Sequence, residues 1–192
     1  SKNSWFEKFV HFYNNKKAKF INKRVDIKKV EKKINYKFSD KQNFLEYSPL
    51  GFKYLKDIFK FIKKNNGGLL IIDYGYFDKK MQDTLQAIYR KRYSKVLENI
   101  GKSDITYNIN YYFIKKIAEN FKELNINFTS QKKFLTNLGI RQRAEIICKS
   151  KTFSETSDIF YRLKRLIDKK EMGDLFKVML IKRSNNNSQI GF

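Results

Sequence analysis

Residues 67–75 read Gly-Gly-Leu-Leu-Ile-Ile-Asp-Tyr-Gly, and this stretch constrains the fold more than any other. Four consecutive aliphatic residues with no polar alternation specify a strand covered on both faces, as in a parallel sheet. The preceding segment carries the grammar of a helix. Ser48 stands at the N-cap and Pro49 at the first helical position, followed by Leu50, Tyr54, Leu55, Ile58, Phe61 and Ile62 on one face. Lys63 and Lys64 fill the last turn, and Asn65, Asn66 and Gly67 stop it. A helix feeding a buried strand points to an α/β fold.

A chain of 192 residues holds one domain of ordinary size. No window of about 18 apolar residues occurs, so no membrane-spanning helix is expected. Ser1 to Trp5 lack the apolar core of a signal peptide. Cys148 is the single cysteine, which fits a reducing compartment and reads as a small buried hydrophobe in "EIICK". His11 is the single histidine, so a histidine-based triad or a histidine-rich metal site is not expected, and no metal is assigned.

The 42 Lys and Arg against 19 Asp and Glu give a net charge of +23. Such a field attracts nucleic acid non-specifically. The lysines are spread along the chain and accompany abundant Asn, Ile, Phe and Tyr, all favoured by A/T-rich codons. Codon drift therefore accounts for them better than a dedicated nucleic-acid surface.

Three regions emerge: a poorly patterned 1–45, a patterned 46–183 and a polar tail, 184–192. Within 1–45, "WFEKFV" is briefly amphipathic, "AKFINKRVDI" reads as one strand, and 28–41 reads as a solvated connection. A weak helical stripe runs through Met81, Leu85 and Ile88, and "NIGKSDITYNIN" reads as a loop. Asn108 or Asn110 caps a helix with Tyr111, Ile114, Ile117, Ala118, Phe121 and Leu124 inward. "NINFTS" reads as a short strand. Thr129 caps a helix stopping at Gly139, and another carries Ala144, Ile147 and Cys148 inward. Ser157 or Asp158 opens a further helix, and "LFKVMLIKR" forms the last strand.

Ligands of open α/β sheets sit beyond the carboxyl ends of parallel strands, so Asp73, Tyr74 and Gly75 mark a candidate cleft edge. Read alone, Asp73 is equally a turn-forming acid. Around it fall, in order, Glu46, Ser48-Pro49, Gly67-Gly68, Asp73-Tyr74-Gly75, Thr84-Leu85-Gln86-Ala87, Asp104-Ile105-Thr106, Gln131 with Phe134-Leu135, Leu138-Gly139-Ile140, Arg143 and Met172-Gly173. With "WFEKFV" in front, this ordered set resembles the MidA-like family of class I S-adenosylmethionine-dependent methyltransferases, from Trp5 to about Lys182.

The resemblance implies an α/β fold: the C-terminal portion of a Rossmann-like class I methyltransferase with added helices and an incomplete sheet. It implies S-adenosyl-L-methionine as cofactor and a protein arginine as substrate. Asp73 and Asp104 become candidate catalytic acids, and Tyr74, Gly75, Thr106 and Gln131 candidate cleft residues. For each the simpler alternative stands beside this: a turn or cap for Asp73, Asp104 and Thr106, a core-edge ring for Tyr74, a helix-terminal residue for Gln131. The family's glycine loop, a G-x-G turn after a strand, has no counterpart here, since Gly67-Gly68 precede a strand. Lys91 stands where the family commonly has histidine, and Ile109-Asn110-Tyr111 where it has Val-Asp-Phe. The expected partners are a separately encoded N-terminal half and a protein substrate, with no membrane. The expected compartment is the bacterial cytoplasm, or alternatively the mitochondrial matrix. An inactive remnant, or a basic protein- or nucleic-acid-binding module, is the other reading.

Overall fold

The computed structural model describes residues 4–14 and 17–192. Ser1, Lys2 and Asn3, read above as lacking a signal-peptide core, lie outside the described residues, as do Asn15 and Lys16. In chain order the elements are β1 (Trp5–Asn14), β2 (Lys17–Val25), α1 (Ile27–Ile34), α2 (Pro49–Asn65), β3 (Gly68–Tyr76), β4 (Gln86–Tyr89), β5 (Arg92–Ser94) and β6 (Asp104–Thr106). They continue as β7 (Ile109–Asn110), α3 (Tyr111–Glu119), β8 (Leu124–Ser130), α4 (Gln131–Asn137), α5 (Ile140–Cys148), α6 (Phe153–Ile167), α7 (Met172–Leu175) and β9 (Phe176–Arg183). The chain divides into two compact units: the part up to Glu46 with Lys80–Asn108, and Tyr47–Lys79 with Ile109–Phe192.

In the first unit β1 and β2 form a long antiparallel arm with an irregularity between Phe12 and Asn14. Cross-strand lysines shade its rings, with Lys19 4.6 Å from the Tyr13 centroid and Lys23 4.8 Å from that of Phe9. The solvated connection expected over 28–41 is instead α1 and a tight turn. Asp26 caps α1 by accepting from the Lys28 and Lys29 amides. Glu31 then accepts from the Phe38 amide, the Ser39 amide and the Ser39 hydroxyl, each at 2.8 Å. Burial raises the Glu31 pKa, but these bonds outweigh it and hold the carboxyl below its ordinary value. The buried Phe38 ring meets Trp5 edge-on at 5.5 Å. The helical stripe expected through Met81, Leu85 and Ile88 is a strand at its far end, because Arg90 and Lys91 both adopt positive φ and turn β4 back into β5. With β6 these make a three-stranded antiparallel sheet, order β5-β4-β6.

The second unit holds a four-stranded sheet, order β7-β3-β9-β8. β9 is central and antiparallel to both neighbours, and its Val178, Met179 and Ile181 are fully buried. The parallel setting expected for 69–72 is thereby corrected: β3 runs parallel only to β7, at Gly75 and Tyr76. Coverage of both faces is corrected too, since Leu70, Ile72 and Tyr74 are exposed. An unbroken aliphatic run does not distinguish a strand covered within its own chain from one awaiting cover.

α2 has the caps expected of it: the Ser48 hydroxyl accepts from the Gly51 amide at 3.0 Å, and Asn66 ends it left-handed at φ 54°. Its buried face is Phe52, Phe59 and Ile62, whereas Leu50, Tyr54, Ile58 and Phe61 are exposed. Phe59 packs on Phe121 at 5.4 Å. Ser130, one residue beyond the expected Thr129, caps α4. Thr152 and Glu155 form a capping box that opens α6 well before Ser157. Ala144, Leu163 and Ile167 cluster between α5 and α6, with Leu135, Ile140, Ile159 and Leu166 against them. Ile147, expected inward, is exposed. The end of the polar 184–192 segment folds back, its Phe192 ring 5.3 Å from Phe134.

Candidate functional site

The carboxyl end of β3 gathers three of the six sequence candidates, each in a different role. Asp73 is exposed, and one carboxylate oxygen accepts from the Tyr74 amide at 2.8 Å. Tyr74 stacks its tilted ring on Phe176 of β9, centroids 4.1 Å apart, and remains partly open to solvent. Gly75 has a steric function. A Cβ there would come within 2.3 Å of the Ile109 carbonyl oxygen and 2.6 Å of the Tyr111 ring.

Tyr111 is the residue that sequence reasoning placed in the core without seeing its task. It is fully buried, and its hydroxyl donates to the backbone carbonyls of Asp73 and Lys177, each at 3.2 Å. The phenol thus pins β3 to β9 beside the candidate acid. Burial first, then the Asp73 charge, raises its pKa far above the ordinary value, partly offset by its bond to the Asp73 carbonyl. It stays a protonated donor. The available signal was tyrosine in place of phenylalanine on a buried face, since a buried phenol needs a partner.

Asn110, one of two expected caps, is the cap used: its Oδ1 accepts from the Phe113 amide at 3.0 Å. Its Nδ2 donates to the Asp78 carbonyl at 3.1 Å, a bond that an ionised aspartate could not make. Gln131 is buried at the start of α4, and its amide donates to the Leu166 carbonyl at 2.9 Å.

Asp104 and Thr106 belong to β6 of the other unit. Asp104 is exposed opposite Ile88, while the Thr106 hydroxyl accepts from Gln86 Nε2 at 3.2 Å. In that unit Glu46 accepts from the Thr84 hydroxyl at 2.6 Å, which in turn accepts from the Asn108 amide at 2.9 Å. These ordered motif residues tie loops together. Among the described residues no group of three or more His, Cys, Asp or Glu is placed to hold a metal, and no helix is long and apolar enough to cross a membrane.

Comparison with known proteins gives the site its context. The model of a family described as S-adenosyl-L-methionine-dependent methyltransferase matches residues 1–129. The mitochondrial protein arginine methyltransferase NDUFAF7 of Danio rerio is 28% identical over 116 residues, 60% of this chain and 27% of that protein. Its Mus musculus counterpart is 25% identical over 138 residues, 71% of this chain and 31% of that protein. An uncharacterized Burkholderia thailandensis protein superposes on 97% of this chain with a TM-score of 0.79 at 20% identity, using 51% of its own length. A second B. thailandensis structure, bound to S-adenosyl-homocysteine, covers the whole chain with a TM-score of 0.68 at 20% identity, using 50% of its own length. The chain therefore spans about half the length of these solved relatives and under a third of the curated ones.

The residues present do not by themselves fit an S-adenosylmethionine cradle. Gly67 precedes β3 and Gly68 opens it, where a cradle needs glycines after a strand. No step through the cofactor is derived from them. The fold is an α/β methyltransferase core with a sheet open on one side. On the family match over residues 1–129, this chain belongs to the S-adenosyl-L-methionine-dependent methyltransferase family.

Proposed function

We propose that this chain is the substrate-facing part of a protein arginine methyltransferase, acting with a second half that carries the cofactor. The family match carries the reading, and the printed activity of the curated relatives supplies the substrate class. The chemistry that this chain brings is positional. A guanidinium is planar and cationic, and a carboxylate accepts two parallel N–H bonds from it. Asp73, exposed at the carboxyl end of β3 and backed by Tyr111, is the acid suited to hold it. Tyr74 and Phe176 offer an adjoining aromatic surface on which a guanidinium stacks. Asp104, the second candidate acid, is exposed on β6 of the other unit. Gln131, whose amide is committed to Leu166, supports α4. A reducing, soluble compartment, bacterial cytoplasm or mitochondrial matrix, suits a chain with one cysteine.

Two measurements test this. Calorimetric titration of S-adenosylmethionine is expected to show no binding to this chain alone and binding once the other half is joined. In that joined protein Asp73→Asn is expected to lower methylation of an arginine peptide by roughly tenfold or more, the equivalent of about 1.4 kcal/mol of lost stabilisation. Unchanged methylation would remove Asp73 from the role. Absence of cofactor binding by the joined protein would favour an inactive remnant, a reading to which Lys91, turned out at the β4–β5 tip, lends support.

A further inference from the structure

The hairpin of β4 and β5 is turned by Arg90 and Lys91, whose φ values are 50° and 64°. A two-residue turn of this hand is ordinarily made by Asn-Gly, because those residues enter the left-handed region cheaply. Two long cationic residues there raise the local backbone energy, and strain of this kind gathers at binding sites. Arg92 follows at once, so three cations stand in a row between Tyr89 and Tyr93. All three are exposed, and among the described residues none of them forms an ion pair with a carboxylate.

These charges border a cleft. Tyr89, Arg90, Arg92 and Ser94 of the hairpin line a cavity of about 540 Å³ together with Glu98 and Asn99 of the loop that follows. Cross-strand pairing sets Tyr89 opposite Arg92 on the same hairpin face as Ser94. Arg90 lies over the Tyr89 ring, 5.3 Å from its centroid, so both arginines are neighbours of one phenol. The loop is tied to the hairpin. Asn99 Nδ2 donates to the Ser94 hydroxyl at 3.4 Å, and the left-handed Asn99 accepts from the Lys102 and Ser103 amides at its carbonyl. Glu98, the one acid lining the cleft, is paired with Lys95 at 3.3 Å.

We propose that this cleft docks an acidic segment of a protein, with carboxylates paired to Arg90 and Arg92. Charge complementarity names the occupant. Three successive cations without an acid match successive carboxylates, and a guanidinium takes a carboxylate through two parallel N–H bonds. A small-molecule pocket encloses most of its ligand, whereas this cleft is open and suits a length of chain. Single-stranded nucleic acid is the weaker occupant, because it needs successive stacking platforms and Arg90 already covers Tyr89. On the functional reading above, on which this identity of the partner rests, the segment belongs to the methylated protein, and the cleft selects acidic substrates.

Fluorescence anisotropy of a labelled peptide, alternating Glu and Gly around one Arg, tests the cleft in the full chain. The peptide is expected to bind about tenfold or more tightly than its counterpart with Gln for Glu. Arg90→Gln with Arg92→Gln is expected to remove that preference. Lys32→Gln with Lys33→Gln takes the same charge from exposed positions of α1 in the same unit, and is expected to change affinity less than about twofold. Arg90→Asn with Lys91→Gly installs the ordinary turn, so it is expected to raise the thermal midpoint while weakening the peptide. Loss of binding in a more stable protein excludes misfolding as its cause. Equal affinity for the Glu and Gln peptides, or equal weakening by the α1 and hairpin pairs, would overturn the proposal. So would a single-stranded oligonucleotide that binds more tightly than the peptide and depends on the same arginines. In the joined enzyme the hairpin variants are expected to raise KM for an acidic arginine peptide. Peptide binding with no methylation would leave the cleft standing and remove the proposed function, whereas methylation with a KM indifferent to these variants would do the reverse.

Discussion

A Cβ at Gly75 would stand 2.3 Å from the Ile109 carbonyl oxygen, so alanine there must push β7 and the Tyr111 ring away from β3. Backbone on one side and a fully buried ring on the other leave little room to yield. Gly75→Ala is expected to cost about 1–3 kcal/mol in urea unfolding, as overpacked sites do. Tyr111→Phe keeps the ring and removes the donor shared by the Asp73 and Lys177 carbonyls, at a cost of about 1 kcal/mol near neutral pH. The sign of its pH dependence follows from a folded-state pKa raised above the ordinary 10.0. The stabilisation is fully present below pH 10 and is lost as pH rises beyond it, because the unfolded phenol ionises first. Unfolding of wild type and Tyr111→Phe between pH 8 and 11 should therefore show their difference shrinking above pH 10. At Asn110, aspartate would keep the cap on Phe113 but lose the donor to the Asp78 carbonyl. Asn110→Asp is expected to destabilise by about 1–3 kcal/mol in the same assay. The asparagine that departs from the family pattern is thus doing local work that an ionised acid could not.

Among the elements, α6 shows how a helix start controls pH response. Glu155 accepts from the Thr152 amide and hydroxyl, and Lys151 lies beside it, so its pKa falls from 4.5 to about 2. A depressed carboxylate pKa contributes stability above the unfolded value and loses it as pH falls toward 2. Amide exchange in the first turn of α6 is therefore expected to speed up selectively below pH 4, and Glu155→Gln should abolish that acid dependence. Sequence reading placed this helix start too late, because Ser157 and Asp158 also look like caps and the reciprocal Thr152–Glu155 pair lies in a polar run. α2, β3, β8 and β9 were legible because caps and apolar runs agreed there. β4 was not, since a stripe at Met81, Leu85 and Ile88 fits helical spacing and the left-handed pair at Arg90 and Lys91 carries no glycine. Of the site, Asp73 and Gly75 were visible as an acid and a turn residue after a strand. The hydroxyl bridge of Tyr111 and the buried amide of Gln131 were not, because their partners lie 38 and 35 residues away in the chain.

For the whole molecule, the excess of 42 basic over 19 acidic residues is not gathered into one groove. Lysines and arginines occur on the β1–β2 arm, on α1, along α2 and on α4 to α6, and some basic residues are held in exposed ion pairs such as Lys151–Glu155 and Arg162–Asp158. A dispersed field attracts polyanions without aligning many contacts at once. Duplex DNA affinity should therefore fall with salt as if roughly three phosphates were neutralised, about 40-fold between 50 and 200 mM. Fluorescence anisotropy with two unrelated 20-base-pair duplexes reads both the slope and the preference, and equal affinities are expected. A slope near that of eight or more contacts, or a tenfold preference between the duplexes, would mean that an organised groove exists.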